Sequence, residues 1–189
     1  LLVWGLVLNC LNGNEMTQSA LIQGGSGGLG RALVNRILQS NQFDQVVVTG
    51  RDIQSIDSRD PRIIPIELDL LSDQSVVDAS TAVASQIDKL NLVVTTAGIL
   101  QDESLGLKPE KKLADLSRSN LQTVFSVNCF GPFLWYAALG RLIRHREPIT
   151  IATLSARVAS IGDNRLGGWH SYRASKTAQN MLTKNLSLE

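Results

Sequence analysis

The segment WHSYRASKTAQN, residues 169–180, places Tyr172 and Lys176 four apart in a stretch with few helix breakers. On a helix, positions i and i+4 share one face, a turn apart. A phenol beside an ammonium can act as an acid and base near neutrality. The cation favours the phenolate and lowers a pKa that is otherwise near ~10. The same spacing also describes an ordinary solvated pair, so the surroundings must decide. The chain offers two further chemical features upstream: a cluster of glycines near residue 25 and a serine, Ser155, just after an apolar run.

The cluster reads GGSGGLGRAL, with Gly24, Gly25, Gly27, Gly28 and Gly30 crowding what looks like a strand-to-helix turn. Glycines allow tight turning and let backbone N–H groups approach a pyrophosphate at a helix N-terminus, where the dipole favours an anion. Two registers fit. Gly25, Gly27 and Gly30 spell G-x-G-x-x-G, while Gly24, Gly28 and Gly30 spell G-x-x-x-G-x-G. Ser26 and Leu29 lie inside the turn, and the Ser26 hydroxyl is placed to touch phosphate. A dinucleotide site carries an acidic residue roughly 20 residues further on for the ribose 2′-OH, or an Arg for a 2′-phosphate. Here the second apolar run ends VVVTGRD. Arg51 follows the neutral Gly50, which favours NADP, and Asp52 leaves NAD open.

The elements that would position these groups follow from the pattern. Residues 20–24, 45–50, 62–69, 90–98 and 148–155 are short, rich in Val, Ile and Thr, and bounded by Gly, Pro or polar residues, so they predict five strands. Residues 29–40, 72–87 and a long stretch from about 113 to 145 carry helical spacing, and a last helix is expected from Trp169 or His170. Ser72 or Asp73 is expected to cap the second helix. Strand–helix alternation implies right-handed crossovers, hence an α/β fold: a Rossmann-like, doubly wound parallel sheet. In such a sheet ligands bind outside the carboxyl ends of the strands. The glycine turn, Arg51 and Ser155 all follow strands.

The totals narrow the class. The chain has 189 residues, 43% hydrophobic and 19% charged, with a net charge of +1. That suits one globular domain and gives no footprint for nucleic acid or a membrane. Cys10 and Cys129 fit no metal or redox spacing, so no metal is expected and a reduced, cytoplasmic compartment is the default. Residues 1–15 precede Met16 and are read as upstream extension, with the domain spanning 16–189. The last run, NMLTKNLSLE, stops inside a helical pattern, so the domain is expected to be incomplete at its C-terminus.

Five motifs in order now accumulate: G-x-x-x-G-x-G, a strand ending TTAG, the run SVNCFGPF, Ser155, and Tyr172-x-x-x-Lys176. In order and spacing they resemble the short-chain dehydrogenase/reductase family, from about residue 20 onward. The block LSARVASIGDNRLGGWHSYRASK resembles its C-factor-like or sniffer-like members. The resemblance implies a catalytic tetrad of Asn128, Ser155, Tyr172 and Lys176. In it Tyr172 gives the proton, Ser155 holds the substrate carbonyl, and Asn128 binds a water linking Lys176 to solvent. It also implies a cofactor site of Gly24, Ser26, Gly28, Leu29, Gly30, Arg51, Asp69, Leu70, Ala97 and Gly98, with Tyr172 and Lys176 at its nicotinamide end, and Asp69 on the adenine side. The family's usual Asn-Asn-Ala-Gly is Thr95-Thr96-Ala97-Gly98 here, and its usual Thr before the first glycine is Gln23. These departures bear on local hydrogen bonding rather than on the fold.

The implied activity is an NADP(H)-dependent interconversion of a carbonyl and an alcohol on a small molecule, by a chain that is a homo-oligomer when full length. A nucleotide-binding signalling or scaffold protein of the same fold, without turnover, is the alternative, and an epimerase or dehydratase is a third. His170, beside Tyr172, is more simply a loop histidine than a base. Trp135 and Tyr136 are more simply core or interface than substrate site.

Overall fold

The computed structural model describes residues 17–189 of the chain, so the expectation for residues 1–15 lies outside the described residues. Five strands form one sheet: β1 (Ser19–Gln23), β2 (Gln45–Gly50), β3 (Ile63–Glu67), β4 (Leu92–Thr95) and β5 (Thr150–Thr153). They run parallel in the order β3-β2-β1-β4-β5. The chain therefore winds outward from β1 in one direction and then in the other, and its switch point lies between β1 and β4. The register is level at that point. Gln23 pairs with Thr49 and with Thr95, and Thr95 pairs with Thr153. Four strands thus end on one line, and the loops that follow them leave side by side.

Alternation along the strands fills both faces. Ala20, Ile22, Val46, Val48 and Val94 point to one side and pack on Val34 and Ile37 of α1 (Gly28–Ser40). Leu21, Val47 and Val93 point to the other. There they meet Val76 and Val83 of α2 (Asp73–Gln86), and Trp135 and Leu139 of a later helix. Sheets covered on both faces need near-continuous apolar strands, which is how β1, β2 and β4 read. Ser72 caps α2, its hydroxyl accepting from Ser75 N–H at 3.2 Å.

The long helix expected over 113–145 is instead a broken rod. A 3₁₀ turn (Leu113–Asp115) precedes α3 (Arg118–Phe125), which Ser117 caps through the Asn120 N–H. A π-helical turn (Ser126–Phe130) follows, then α4 (Gly131–Leu139). Two residues explain the break. Gly131 lies so close to Leu70 that a Cβ there would sit 2.6 Å from that side chain. Pro132 has no N–H to give the Asn128 carbonyl four residues back. The rod ends at Gly140, whose φ of +47° lies in the left-handed region. Trp135 and Tyr136 are core residues, 0% and 2% exposed. The last helix, α5 (His170–Leu186), starts where the sequence placed it. Among the described residues no helix is long and apolar enough to cross a membrane.

Candidate active site

The glycine turn leaves no room for a side chain at Gly24, Gly25 and Gly30. Gly24 has φ +84°, and its N–H and that of Gly25 both donate to Thr49 O. A Cβ on Gly30 would lie 2.2 Å from Gly24 O, so the first turn of α1 can seat on the loop only with glycine there. Gly28, in contrast, faces open space, with nothing within 4 Å of a Cβ. Gly25 is packed as tightly as Gly30, with a Cβ position 2.2 Å from the Val48 side chain, so both registers hold two glycines demanded by packing. The Gly24, Gly28, Gly30 register differs in that its remaining glycine, Gly28, borders wholly open space at the N-terminus of α1. Thr96 replaces an asparagine of the family pattern and still bonds the turn, donating to Gln23 O at 3.0 Å and Gly24 O at 3.1 Å.

The adenine side is set by β2 and β3. A Cβ on Gly50 would come within 2.7 Å of Ser26 Oγ, so the end of β2 packs closely on the glycine turn and carries no acidic side chain. Arg51 is exposed. The Asp102 carboxyl is held below its ordinary value chiefly by the Ser104 hydroxyl donating to it, with the Arg51 charge a smaller contribution. The Asp52 carboxylate accepts from Gln54 N–H at 2.9 Å, capping a 3₁₀ turn over Ile53–Ser55. Asp69 stands after β3, where it accepts from Leu71 N–H at 2.9 Å. Leu70 packs against Gly131.

At the reacting end, Ser155, Tyr172 and Lys176 line one cleft of about 250 Å³, together with Leu29, Thr96, Gly98, Leu100 and Leu154. β5 delivers Leu154 and Ser155, β4 delivers Thr96 and Gly98, and α5 delivers the Tyr–Lys pair. Lys176 is only 3% exposed, and its Nζ donates to Leu154 O at 2.8 Å. Burial pulls its pKa down to about 8, opposed by the nearby Cys129 thiol. Burial pushes the Tyr172 phenol up, the opposite direction to the lowering expected from a neighbouring ammonium. Asn128 is fully buried in the π-helical turn, yet its amide does not reach for Lys176. It clamps the Ile99 backbone, accepting from Ile99 N–H at 2.6 Å and donating to Ile99 O at 2.9 Å, and it donates to Ser175 Oγ at 3.1 Å. Where Gly98 would carry a Cβ, that atom would lie 3.3 Å from Lys176 Nζ and 3.4 Å from Asn128 Oδ1. The missing side chain keeps a small space open between them.

The α5 N-terminus is held from outside the helix. Glu110, 3% exposed, accepts from the Ser171 hydroxyl and, at 3.3 Å, from Ser171 N–H, while its own carbonyl accepts from Trp169 N–H. Gly167, Gly168 and Trp169 all have positive φ, so the chain makes a tight left-handed turn just before the helix. The Trp169 ring then packs edge-on to Tyr172 at 6.5 Å. His170 is the first residue of α5 and does not line the cleft. A larger hollow of about 870 Å³ lies among Gln101, Leu107, Lys108, Glu110 and Asn120 and touches none of Ser155, Tyr172 or Lys176. Thr96 stands out in the sequence only as a departure from the family's asparagine, Gln179 only as a polar residue three positions after Lys176, and Glu110 not at all. Among the described residues no group of three or more His, Cys, Asp or Glu is gathered as for a metal.

A glycine-rich β1–α1 turn at the switch point, with a serine, a tyrosine and a lysine converging beyond β4 and β5, is the arrangement of one enzyme family. The family model described as short chain dehydrogenase matches residues 18–189, and the chain belongs to that family. It is 26% identical over 174 residues to an uncharacterised oxidoreductase of Schizosaccharomyces pombe, covering 89% of this chain. The chain spans 66% of that relative's length. In structure it is similar to NADPH-bound carbonyl reductase from chicken fatty liver, with 25% identity and a TM-score of 0.78, covering 93% of this chain and 72% of the other. It is also similar in fold to the carbonyl reductase Sniffer of Drosophila melanogaster, with 23% identity and a TM-score of 0.79 over 92% of this chain and 75% of that one.

Proposed function

We propose that the protein reduces a carbonyl on a small molecule, or oxidises the corresponding alcohol, with NADP(H) as hydride carrier. The observation that carries this reading is the convergence of Ser155, Tyr172 and Lys176 on one cleft that also borders Leu29 of the glycine turn. The residues present fit a dinucleotide. Gly24 and Gly30 form a cradle that a Cβ would fill, and Gly28 leaves space at the N-terminus of α1. Gly24, Ser26, Gly28, Leu29 and Gly30 would hold the pyrophosphate half. Asp69 and Leu70 would border the adenine, and Ala97 and Gly98 the ribose beyond β4. Arg51 would meet a 2′-phosphate. Gly50 offers no carboxylate at the end of β2, and Asp52 is turned to a backbone N–H, so both favour NADP over NAD. When bound, the nicotinamide supplies or accepts the hydride.

The chain's own groups handle the proton. Ser155 Oγ holds the carbonyl oxygen. As that oxygen gains negative charge, Tyr172 Oη transfers its proton to it, and the phenolate left behind is stabilised by the Lys176 ammonium. The ligand-free phenol is pushed up by burial, so lowering its pKa would be work for the Lys176 ammonium. A proton would return to Lys176 by way of a water held at Asn128, in the space that Gly98 leaves open beside Lys176 Nζ and Asn128 Oδ1. We place the protein in a reducing, cytoplasmic compartment, in keeping with the buried free thiol of Cys129, and we infer that it acts as a homo-oligomer.

The experiment is NADPH turnover by the full chain against a panel of aldehydes and ketones, beside Tyr172→Phe. Carbonyl-dependent oxidation of NADPH that disappears in Tyr172→Phe supports the reading. Tight NADPH binding without turnover on any carbonyl would favour a nucleotide-binding role instead.

A further inference from the structure

Gln179 is a polar residue in a place where the helix asks for an apolar one. It stands three positions after Lys176 on α5 and is 1% exposed. A buried amide is tolerated when both its ends are hydrogen-bonded. Gln179 Oε1 accepts from Lys176 Nζ at 2.9 Å, and its Nε2 donates to Leu154 O at 3.0 Å. Lys176 Nζ donates to that same carbonyl at 2.8 Å. The amide orientation is forced, because a flipped amide would set its NH₂ against an ammonium and its oxygen against a carbonyl. Lysine, glutamine and the last carbonyl before Ser155 thus close a triangle.

An ammonium has three N–H donors. Two are spent on Leu154 O and Gln179 Oε1, which fixes the direction of the third. The space left open by Gly98 begins 3.3 Å from Nζ. We propose that Gln179 is a positioning residue for carbonyl reduction: its amide locks the Lys176 ammonium to the Leu154–Ser155 peptide, so that lysine and serine present themselves to the cleft as one unit. This rests on the roles given to Tyr172 and Lys176 above.

The proposal has a consequence that a merely structural glutamine lacks. Oε1 accepts a hydrogen bond from the charged form of Lys176 and so opposes the burial that pulls this lysine down to about 8. The titratable groups facing Lys176 are Tyr172 on α5 and the Cys129 thiol from the π-helical turn. From the β4 and β5 ends it faces Gly98, Leu154 and Ser155. No carboxylate in this set could take over from the amide.

The test uses the full chain and two variants. Gln179→Met keeps the length of the side chain and loses both hydrogen bonds. Gln179→Glu keeps an acceptor for Nζ and adds a negative charge. The readout is the alkaline limb of the pH–rate profile for carbonyl reduction, where rate falls as Lys176 loses its proton. The limb should move to lower pH in Gln179→Met, by about half a unit or more, and to higher pH in Gln179→Glu. In Gln179→Met, kcat should fall more than KM rises. Should Gln179→Met not fold, the upward shift in Gln179→Glu carries the test alone. A limb that stays at its wild-type position overturns the proposal. Tyr172→Phe, run in parallel, separates the two layers. If it abolishes turnover while the limb stays put, only the role of Gln179 fails. If it retains wild-type turnover, the tetrad reading and the proposal fall together.

Discussion

The two halves of the crevice are built in opposite ways. Around the β1–α1 turn the useful surface is backbone, and what matters is atoms that are missing: Gly30 against Gly24 O, Gly50 against Ser26, and empty space at Gly28. Beyond β4 and β5 the useful surface is side chains, each held by named partners: Lys176 by Leu154 O and Gln179, Asn128 by Ile99, and Ser171 by Glu110. The first half binds an anion that any exposed amides at a helix N-terminus will attract, so shape suffices. The second must move one proton at one place, which requires particular groups. One half should therefore be broken by adding atoms, and the other by removing them.

The largest effect is expected from the removal of a single oxygen. Tyr172→Phe should leave NADPH binding within a few-fold of wild type and lower carbonyl reduction by roughly 100- to 10,000-fold. Steady-state kinetics beside calorimetric NADPH binding would show it, and a wild-type rate would erase the contrast between the halves. On the backbone side, Gly28→Val and Gly30→Ala should part company. Gly28→Val adds atoms to open space, so the melting temperature should hold while NADPH binding is lost. Gly30→Ala drives a Cβ into Gly24 O and should destabilise the fold by roughly 1–3 kcal/mol as well. If Gly28→Val still binds cofactor in calorimetry, the Gly25, Gly27, Gly30 register takes its place.

The pH dependence of stability sharpens the side-chain half. Lys176 is held at about 8, below its ordinary 10.5, because burial penalises the ammonium. The folded state therefore gives up this proton more easily than the unfolded chain does. The penalty is present in full below about 8 and fades as pH rises toward 10.5. Compared with Lys176→Met, the wild type should gain stability over that window, by on the order of 3 kcal/mol at most. Denaturant unfolding of both chains at several pH values measures the difference, and a wild type that loses stability relative to Lys176→Met as pH rises through that window contradicts the assigned environment. The smallest effect returns to the backbone half at its one charged contact. Arg51→Ala should weaken NADPH binding by about 1.5–3 kcal/mol and leave NADH nearly unchanged. Equal losses for both cofactors would mean that Arg51 does not meet the 2′-phosphate.

The same division governs what could be read from the sequence. Gln45–Gly50 is a strand over the span that its apolar run marks, because a strand buried on both faces announces itself locally. The glycine turn, Ser155 and the Tyr172–Lys176 pair were legible because each combines a residue type with a place after a strand or one turn along a helix. Glu110 was not, since it reaches Ser171 across 61 residues and nothing beside it in the chain marks the meeting. Thr95 and Thr153 bracket Tyr136, whose hydroxyl lies 2.5 Å from one and 3.0 Å from the other, and that trio also exists only through the fold. The break in the 113–145 rod escaped for another reason. Apolar residues continue through it, and only the phase changes.

That phase change has a genetic side. A π-helical turn carries one residue more than the α-turn it replaces, and an α-helix turns about 100° per residue. Ser126–Phe130 is therefore equivalent to a single inserted codon whose frame the rest of the rod has adopted. Upstream of it Val124 is buried; downstream Trp135, Tyr136 and Leu139 face the core. Because the π-turn spends its extra residue on a single revolution, deleting one codon there would heal the helix and leave those three side chains facing the core, while removing the bulge that carries Asn128. Asn128 would leave Ile99 in the same stroke.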